Sequence, residues 1–450
     1  MKDSNFLKEM NARKLWHPMA HPGAMQDAPP KIITSADGIH ITDIDGHSVL
    51  DAVGGLWNVN LGYSCQPIKD AIAAQLQVLP YYSAFKGTTT DLAIELSDVV
   101  VDSFDQEGMA RVFFTSGGSD SVETALKLAR QYHRLRGEAG RTKFLSLRKG
   151  YHGTHFGGAS VNGNPLFRAS YEPLLPGCFH VPAPYTYRNP FDEADPERLG
   201  AMCLRALEEE ITMQTPQTIA AMIMEPVLGA GGVIVPPETY MPGVAEICAR
   251  HGILLISDEV ITGFGRTGSW SGARRWGVKP DMMTTAKAIT NGYYPFGAVL
   301  LSGEMAEVFE SADEAAGMIG HGYTYSCHPV GAAAALACLA ETQRLNVMEN
   351  ASARGAQLFL GLQSLAERFS LIGDVRGGAG LMCGVELVSD PSTKTPLDAA
   401  TAKKIFETTY EAGVMVRLSG TNLLMSPPLI LGAGDVDTIL AALAKGLEAA

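Results

Sequence analysis

The feature that most constrains the fold is a set of short apolar runs that each end in a polar residue. Three of them are "RVFFTS" (residues 111–116), "AAMIME" (220–225) and "ILLISD" (253–258). A strand with one face in water alternates apolar and polar residues, whereas a strand covered on both faces is apolar throughout. Helical periodicities alternate with these runs along the chain, so the pattern predicts an α/β fold around a largely parallel sheet.

Composition excludes several classes of partner. At 450 residues and 46% hydrophobic, the chain is long enough for two or more domains. A formal net charge of -13 argues against nucleic-acid binding, which needs a clustered basic face. The charged start and the lack of a long apolar run predict a cytoplasmic protein without a membrane span. The seven scattered cysteines form no CxxC pair, so neither a disulfide framework nor a zinc site is expected.

A glycine-rich turn joins the first apolar run to a predicted helix. Gly117, Gly118 and Ser119 follow the strand, and apolar residues at helical spacing follow them. Glycines let backbone N–H groups approach a ligand closely, and a helix N-terminus carries partial positive charge, so the turn suits a phosphate. The turn matches neither GxGxxG nor the P-loop pattern. Ser119 and Asp120 could therefore simply cap the helix.

An acid and a lysine stand out in two further segments. Asp258 ends the run "ILLISD", and open α/β sheets bind ligands at the carboxyl ends of their strands. A helix cap or a structural salt bridge would also explain this acid. Lys287 lies in "KPDMMTTAKAITNGYYPFGAVL", before a Gly/Pro-rich turn. Burial would lower the pKa of such an amine and free it for Schiff-base chemistry, whereas on the surface it would be a solvated charge.

The phosphate turn, the acid and the lysine together form the set that pyridoxal 5′-phosphate requires. This cofactor needs an anion site, an anionic partner for its pyridinium nitrogen and a lysine for its aldehyde. Asp258 would keep the ring nitrogen protonated. Lys287 would bind the aldehyde and, once displaced, carry a proton between the substrate Cα and the cofactor. The three segments therefore predict a pyridoxal-phosphate enzyme.

The sequence resembles the class III aminotransferases of the fold-type I pyridoxal-phosphate superfamily, and within them the ω-amino-acid:pyruvate and amine transaminases. The resemblance covers nearly the whole chain. The matching stretches, in the family's order, are "SGGSDSVETALKLAR", "KGYHGTH", "EPVLGAGGVIVPP", "SDEVITGFGRTG", "AKAITNGYYPFGAV", "HGYTYSCHPVGAAAALA" and "VRLSGTNLLMSPPLI".

The resemblance implies an α/β fold in two domains. The large pyridoxal-phosphate domain would contain a mostly parallel seven-stranded sheet flanked by helices, and the smaller domain would be α+β. An alanine-rich helix after Pro329 could carry the chain from one domain to the other. We therefore assign residues 61–330 to the large domain, residues 331–450 to the small domain, and residues 1–60 to an N-terminal segment of the small domain.

The resemblance also implies the cofactor site. The family's cofactor-binding residues fall on Gly118, Ser119, Tyr151, Glu225, Asp258, Val260, Lys287 and Thr324. Thr324 would reach the phosphate held by the neighbouring subunit, which implies an obligate homodimer with shared active sites, and a tetramer is also possible. Tyr151 would stack on the ring and Val260 would pack on its other face. Glu225 corresponds to a family acid near the cofactor.

Two details depart from this pattern or compete with it. Where the family has a GSEAN-like turn, this chain has Gly-Ser-Asp-Ser-Val at residues 118–122, which keeps the Gly-Ser pair and changes the residues that support it. His152 and His155 lie three residues apart without a HExxH glutamate or nearby cysteines. We therefore expect no metal site, and a structural or supporting role for both histidines.

Substrate choice is expected to depend on Arg417. An arginine inside an apolar segment needs a partner, and its guanidinium matches a carboxylate. That partner could be an interior acid, but the resemblance implies the family's mobile arginine, which binds the carboxylate of the acceptor. Trp57 and Phe85 match aromatic walls of the substrate pocket, to which Tyr151 also belongs, although Trp57 and Phe85 could equally be core residues.

The function predicted from the sequence is transamination by a ping-pong mechanism. An ω-amino acid or primary amine would donate the amino group, and pyruvate or a similar keto acid would accept it. An aminomutase or decarboxylase would use the same lysine, turn and aspartate. A nucleotide-binding module that never forms a Schiff base is the alternative of another class. Glu259 and Arg266 are expected to serve structure.

Overall fold

A computed structural model describes residues 3–450 and contains three β-sheets. The strands are β1 (Ile33–Asp37), β2 (His40–Asp43), β3 (Ser48–Asp51), β4 (Met109–Thr115), β5 (Lys143–Leu147), β6 (Cys178–Val181), β7 (Ile219–Met224), β8 (Leu254–Asp258), β9 (Met282–Thr285), β10 (Gly297–Ser302), β11 (Ile372–Arg376), β12 (Cys383–Asp390), β13 (Thr395–Pro396), β14 (Val414–Met415), β15 (Arg417–Ser419) and β16 (Asn422–Met425). The α-helices are α1 (Ser4–Arg13), α2 (Ala24–Asp27), α3 (Gly54–Trp57), α4 (Gln66–Val78), α5 (Asp91–Ser103), α6 (Gly118–Leu135), α7 (Phe156–Val161), α8 (Pro196–Gln214), α9 (Tyr240–His251), α10 (Gly272–Arg275), α11 (Gly303–Glu310), α12 (Glu314–Gly317), α13 (Pro329–Arg344), α14 (Val347–Arg368), α15 (Ala399–Glu411) and α16 (Ala433–Glu448).

The largest sheet has seven strands in the order β4-β10-β9-β8-β7-β5-β6. Only β10 runs antiparallel to its neighbours, and the other pairs are parallel. Every residue of β7, β8 and β9 is buried, because helices cover both faces of the sheet. The predicted α/β fold, with its continuous apolar strands, is confirmed.

The direction of the strands determines where a site can form. β4, β5, β7, β8 and β9 all point the same way, so the loops that follow them meet at one edge of the sheet. The loop before β10 reaches the same edge, since that strand runs in the opposite direction. Such an edge is where open α/β sheets bind ligands.

The two smaller sheets bring the chain ends together. The first has the order β1-β2-β3-β14, in which β14 pairs in parallel with β3 and so joins the C-terminal part of the chain to the N-terminal hairpin. The second contains β11, β12, β16 and β15, with β13 paired to β12. Ile39, in the turn between β1 and β2, and Leu50 of β3 share a hydrophobic core with the C-terminal helices. The division at residues 60 and 330 stays a prediction.

Helix α13 begins at Pro329 and packs between two hydrophobic cores. Ala332 and Leu339 belong to the core beneath the large sheet, whereas Ala334 and Cys338 belong to the core of the C-terminal unit. A helix of small residues lets both cores approach closely. Within residues 3–450, no helix is both long and apolar enough to cross a membrane.

Candidate active site

A cavity of about 310 Å³ opens at the carboxyl edge of the large sheet. It is lined by Asn58, Ser116, Gly117, Gly118, Ser119, Val122, Tyr151, His152, Gly153, Glu225, Asp258, Val260, Ile261, Ala286, Lys287, Gly292, Tyr294, Pro295 and Phe296. Seven of the residues predicted from the sequence therefore share one cavity: Gly118, Ser119, Tyr151, Glu225, Asp258, Val260 and Lys287.

Asp258 is held at the end of β8 by three donors. Its Oδ1 accepts hydrogen bonds from the Thr284 hydroxyl at 3.1 Å and from the Val260 N–H at 3.2 Å. Its Oδ2 lies 2.8 Å from Nδ1 of His152. Only 3% of Asp258 is exposed, and the three hydrogen bonds hold its carboxyl group in one orientation. The site therefore contains an acid fixed at the end of β8.

His152 orients this carboxylate. Because a carboxylate oxygen accepts, Nδ1 of His152 carries the hydrogen in this bond. Nε2 is buried and has no hydrogen-bond partner among the described residues. The supporting role expected of His152 corresponds to its contact with Asp258. His155 lies elsewhere and pairs with Asp120 at 2.7 Å.

The turn before α6 also lines the cavity. α6 begins at Gly118, and the first N–H groups of a helix have no acceptor within it. A Cβ on Gly118 would lie 3.0 Å from Cγ1 of Val260, so glycine permits the close approach of the two loops. Ser119 Oγ accepts a hydrogen bond from the Thr154 N–H at 3.2 Å. The turn offers backbone donors and a hydroxyl, as an anion site requires.

Lys287 lies directly after β9, at the start of a short 3-10 turn over Lys287–Thr290. Its φ of 48° is unusual for a residue with a side chain, and such strain is commonly found at functional sites. Burial lowers the pKa of Lys287 to about 8, although the charges of Asp258 and Glu225 act in the opposite direction. The amine can therefore exchange its proton near neutral pH.

Glu225 follows β7 and bridges two loops. Its Oε1 accepts a hydrogen bond from the Tyr151 N–H, and its Oε2 accepts one from the Gly229 N–H, both at 2.9 Å. Burial raises the pKa of Glu225 to about 7, despite these bonds and the nearby His152. The acid fixes the backbone of Tyr151, whose ring packs edge-on against Phe167 with the ring centroids 4.7 Å apart.

Arg417 lines a second cavity of about 850 Å³ rather than the first. It begins β15 and is half-buried, and burial lowers the pKa of its guanidinium, partly offset by Tyr151. No acid among residues 3–450 forms an ion pair with it. The alternative explanation for this arginine was a salt bridge to an interior acid. No acid among the described residues forms one with Arg417.

Three other predicted residues do not line the first cavity of their own chain. Trp57 has only 3% of its surface exposed and belongs to the hydrophobic core, while the next residue, Asn58, lines the cavity. Phe85 is 51% exposed and lies beside Gly322. Thr324 is exposed, and its carbonyl accepts a hydrogen bond from the Tyr81 hydroxyl at 2.7 Å. Their roles in binding stay predictions.

The comparisons with known proteins decide the family. The sequence profile described as "Aminotransferase class-III" matches residues 23–447. The chain belongs to the class III aminotransferases. It is therefore an aminotransferase of fold type I, and it uses pyridoxal 5′-phosphate as its cofactor, as the resemblance implied.

Individual class III aminotransferases match nearly the full length. A putrescine–pyruvate aminotransferase of Pseudomonas aeruginosa is 36% identical over 420 residues, which are 93% of this chain and 90% of that protein. A solved amine transaminase from an uncultivated Pseudomonas species, in its pyridoxal-phosphate-bound form, is 50% identical with a TM-score of 0.95, over 97% and 98% of the two chains. An (S)-enantioselective ω-transaminase from Thermomicrobium roseum is 38% identical with a TM-score of 0.95, over 100% and 99%.

The residues of this cavity fit the cofactor of the class III aminotransferases. The cavity contains the helix N-terminus at Gly118 and the hydroxyl of Ser119, which suit a phosphate. It also contains the fixed carboxyl group of Asp258, which suits a protonated ring nitrogen. Lys287 lies in the same cavity with a lowered pKa, as binding of an aldehyde requires.

Sequence reasoning did not find every residue of this site. Asn58, Thr284 and Tyr294 are further members, the first and last in the cavity wall and Thr284 as a donor to Asp258. The run "MTT" within β9 is a weak sequence signal for a hydroxyl near Asp258. Strands β8 and β9 are parallel neighbours, so their carboxyl ends lie side by side and Thr284 lies opposite Asp258. No sequence pattern pointed to Asn58, which follows the more conspicuous Trp57.

Proposed function

We propose that this aminotransferase moves an amino group from an ω-amino acid or a primary amine to pyruvate or a similar keto acid. The observation that carries the proposal is Arg417, a half-buried cation near the cofactor cavity that has no acid partner in the described chain. A guanidinium without a partner suits the carboxylate of a keto acid. The relatives include a putrescine–pyruvate aminotransferase and an amine transaminase, which supports the same choice.

Each polar residue of the cavity has a defined task in this mechanism. When bound, pyridoxal phosphate supplies the aldehyde that takes the amino group and the ring that accepts the electron pair left by the departing Cα proton. Nζ of Lys287 would take that proton from the substrate Cα and deliver it to the aldehyde-derived carbon of the cofactor, which its lowered pKa permits. The carboxylate of Asp258 holds a proton on the ring nitrogen. Ser119 and the turn at Gly118 hold the phosphate.

The two substrates use this site in succession. The amine donor leaves its amino group on the enzyme and departs as a carbonyl compound, and the keto acid then takes up that group. Arg417 would bind the carboxylate of the acceptor and move aside for a donor that lacks one. The Glu225 carboxylate keeps Tyr151 at the cavity wall through its bond to the backbone.

We also propose a homodimer in which each subunit completes the other's site. Thr324 and Phe85 lie outside the cavity of their own chain, yet both match residues expected near the cofactor or substrate. Exposed aromatic residues surround them, including Tyr82 and Tyr325, and a contact between two copies would cover this surface. The seven cysteines are all free, as suits an enzyme of the reducing cytoplasm.

The test is a visible absorbance spectrum of the purified enzyme during each half-reaction. A primary amine should bleach the band of the bound cofactor, and pyruvate should restore it. The variant Lys287→Ala should bind the cofactor without the lysine-bound band and show no turnover. A band that the amine bleaches but pyruvate does not restore would contradict the proposed acceptor. An aminomutase or decarboxylase would turn over without needing pyruvate.

A further inference from the structure

Asn58 is a cavity residue to which the proposed mechanism gives no task. It follows Trp57, whose φ of 64° lies in the left-handed region. The side chain of Trp57 is buried in the hydrophobic core, and Asn58 then lies in the cavity wall with Lys287. The segment therefore places a carboxamide where the sequence suggests an indole ring.

The orientation of this carboxamide is fixed by a backbone N–H group two residues earlier in the chain. Oδ1 of Asn58 accepts a hydrogen bond from the Leu56 N–H at 2.9 Å. A backbone N–H can only donate, so the oxygen, not the nitrogen, must face Leu56. Nδ2 carries its two hydrogens at the other end of the group. Those hydrogens have no acceptor among residues 3–450.

Two glycines leave just enough space for the carboxamide of Asn58 between them. Gly55 has a φ of 65°, and a Cβ there would lie 2.6 Å from Oδ1 of Asn58. Gly292 has a φ of 71°, and a Cβ there would lie 2.6 Å from Nδ2. Any other residue at either position would push the group aside. The donor is thus preorganised before a ligand arrives, as binding groups usually are.

A donor pair of this kind can bind an acceptor on a substrate that enters the cavity. Gly55, which touches Asn58, also lines the second cavity together with Arg417. Gly55 therefore adjoins both the carboxamide of Asn58 and the cavity that Arg417 lines. A carboxylate offers about four lone-pair sites, of which a bidentate guanidinium occupies two, so a neutral donor can bind beside it.

We infer that Asn58 determines acceptor specificity by donating a hydrogen bond from Nδ2 to the carboxylate of the keto acid, beside Arg417. This inference rests on the proposed function, because it takes a keto acid as the second substrate. It assigns the residue to binding and not to proton transfer. Asn58 should therefore distinguish acceptors with a carboxylate from those without one.

The experiment compares pyruvate with propanal, an acceptor of equal carbon number that has no carboxylate. For Asn58→Ala, kcat/KM with pyruvate should fall about tenfold, the usual loss for a hydrogen bond to a charged group. With propanal it should change far less. Equal losses with both acceptors, or none with pyruvate, would overturn the inference, because a structural role does not depend on the acceptor.

The variant Asn58→Asp is the matched control for shape. Its carboxylate can still accept from the Leu56 N–H, but it replaces the donor with a negative charge. Turnover with pyruvate should fall below that of Asn58→Ala, whereas a residue that only supports the turn would be rescued by Asp. In Asn58→Ala/Arg417→Ala, the losses with pyruvate should be non-additive, since both residues bind one group. Strict additivity would contradict a shared carboxylate.

The inference and the proposed function fail in different ways. The wild-type enzyme is measured first, and failure to use pyruvate or any other keto acid would overturn both. If the wild type uses pyruvate and the Asn58 variants do not distinguish it from propanal, only the inference on Asn58 is wrong.

Discussion

Lys287 shows how a single side chain can be tuned by its surroundings. Burial lowers the pKa of its amine from 10.5 to about 8, and only the neutral amine attacks an aldehyde. The rate at which the apo protein binds pyridoxal phosphate should therefore rise with pH and level off above about 8. Stopped-flow absorbance across a pH series measures that midpoint.

Glu225 provides the control for this pH dependence. Its charge raises the pKa of Lys287, so Glu225→Gln should move the midpoint to lower pH. A midpoint near the ordinary lysine value in the wild type would show that the amine is not desolvated. An unchanged midpoint in the variant would show that Glu225 does not act on it.

How far single residues could be predicted depended on sequence distance. Asp258 ends a recognisable strand, so its placement at the carboxyl edge of the sheet followed from local pattern alone. Lys287 was identified instead from the small residues before it and the Gly/Pro-rich turn after it. The contact between His152 and Asp258 joins residues 106 positions apart, and no local pattern encodes it. Asn58 was missed because the adjacent Trp57 is buried in the hydrophobic core and Asn58 lines the cavity in its place.

At the level of elements, Glu259 holds the short helix α10 against the end of β8. Its carboxylate accepts hydrogen bonds from the N–H groups of Gly272 and Ala273, each at 2.8 Å, and from the hydroxyls of Ser257 and Thr262. This fully buried acid caps the N-terminus of α10, where a negative charge is favourable. The expected structural role of Glu259 takes the form of these four bonds.

Replacing Glu259 should lower the stability of the folded protein rather than its catalytic activity. In Glu259→Gln the amide N–H₂ would face a backbone donor, so one hydrogen bond is lost and a buried donor is left unpaired, at a cost of about 1–3 kcal/mol. The thermal midpoint of unfolding should fall, measured by calorimetry on the cofactor-loaded enzyme. Glu238→Gln, a change at an exposed acid that pairs with Arg275, should leave the midpoint unchanged. Equal midpoints for the two variants would contradict the capping role.

Across the whole molecule, Arg266 joins segments that are far apart in the sequence. Its guanidinium is fully buried and donates to Oδ1 of Asn60 and to the carbonyls of Leu381 and Pro427. These acceptors come from both ends of the chain. From the sequence, Arg266 could be assigned to structure but not to this junction, because its partners lie up to 206 positions away. The alternation of strands and helices predicts the large sheet, whereas the pairing of β14 with β3 depends on such long-range contacts.

The proposed homodimer can be tested by complementation between two inactive forms. Lys287→Ala removes the lysine but keeps Thr324, whereas Thr324→Asp keeps the lysine and places a negative charge where the partner's phosphate would lie. Co-expression should restore activity, because in a mixed dimer the Thr324 of one chain completes the intact Lys287 site of the other. Random pairing in a closed two-fold dimer gives about a quarter of the wild-type sites.

The separate homodimers set the baseline for this measurement. Each variant alone should have little activity, and mixing purified variants without subunit exchange should add none. If Thr324 served the site of its own chain, the mixed dimers would be no more active than the Thr324→Asp enzyme, because the only chain with Lys287 would carry the repelling charge in its own site. Restored activity therefore requires that Thr324 acts across the subunit contact, which its exposed position outside its own cavity favours.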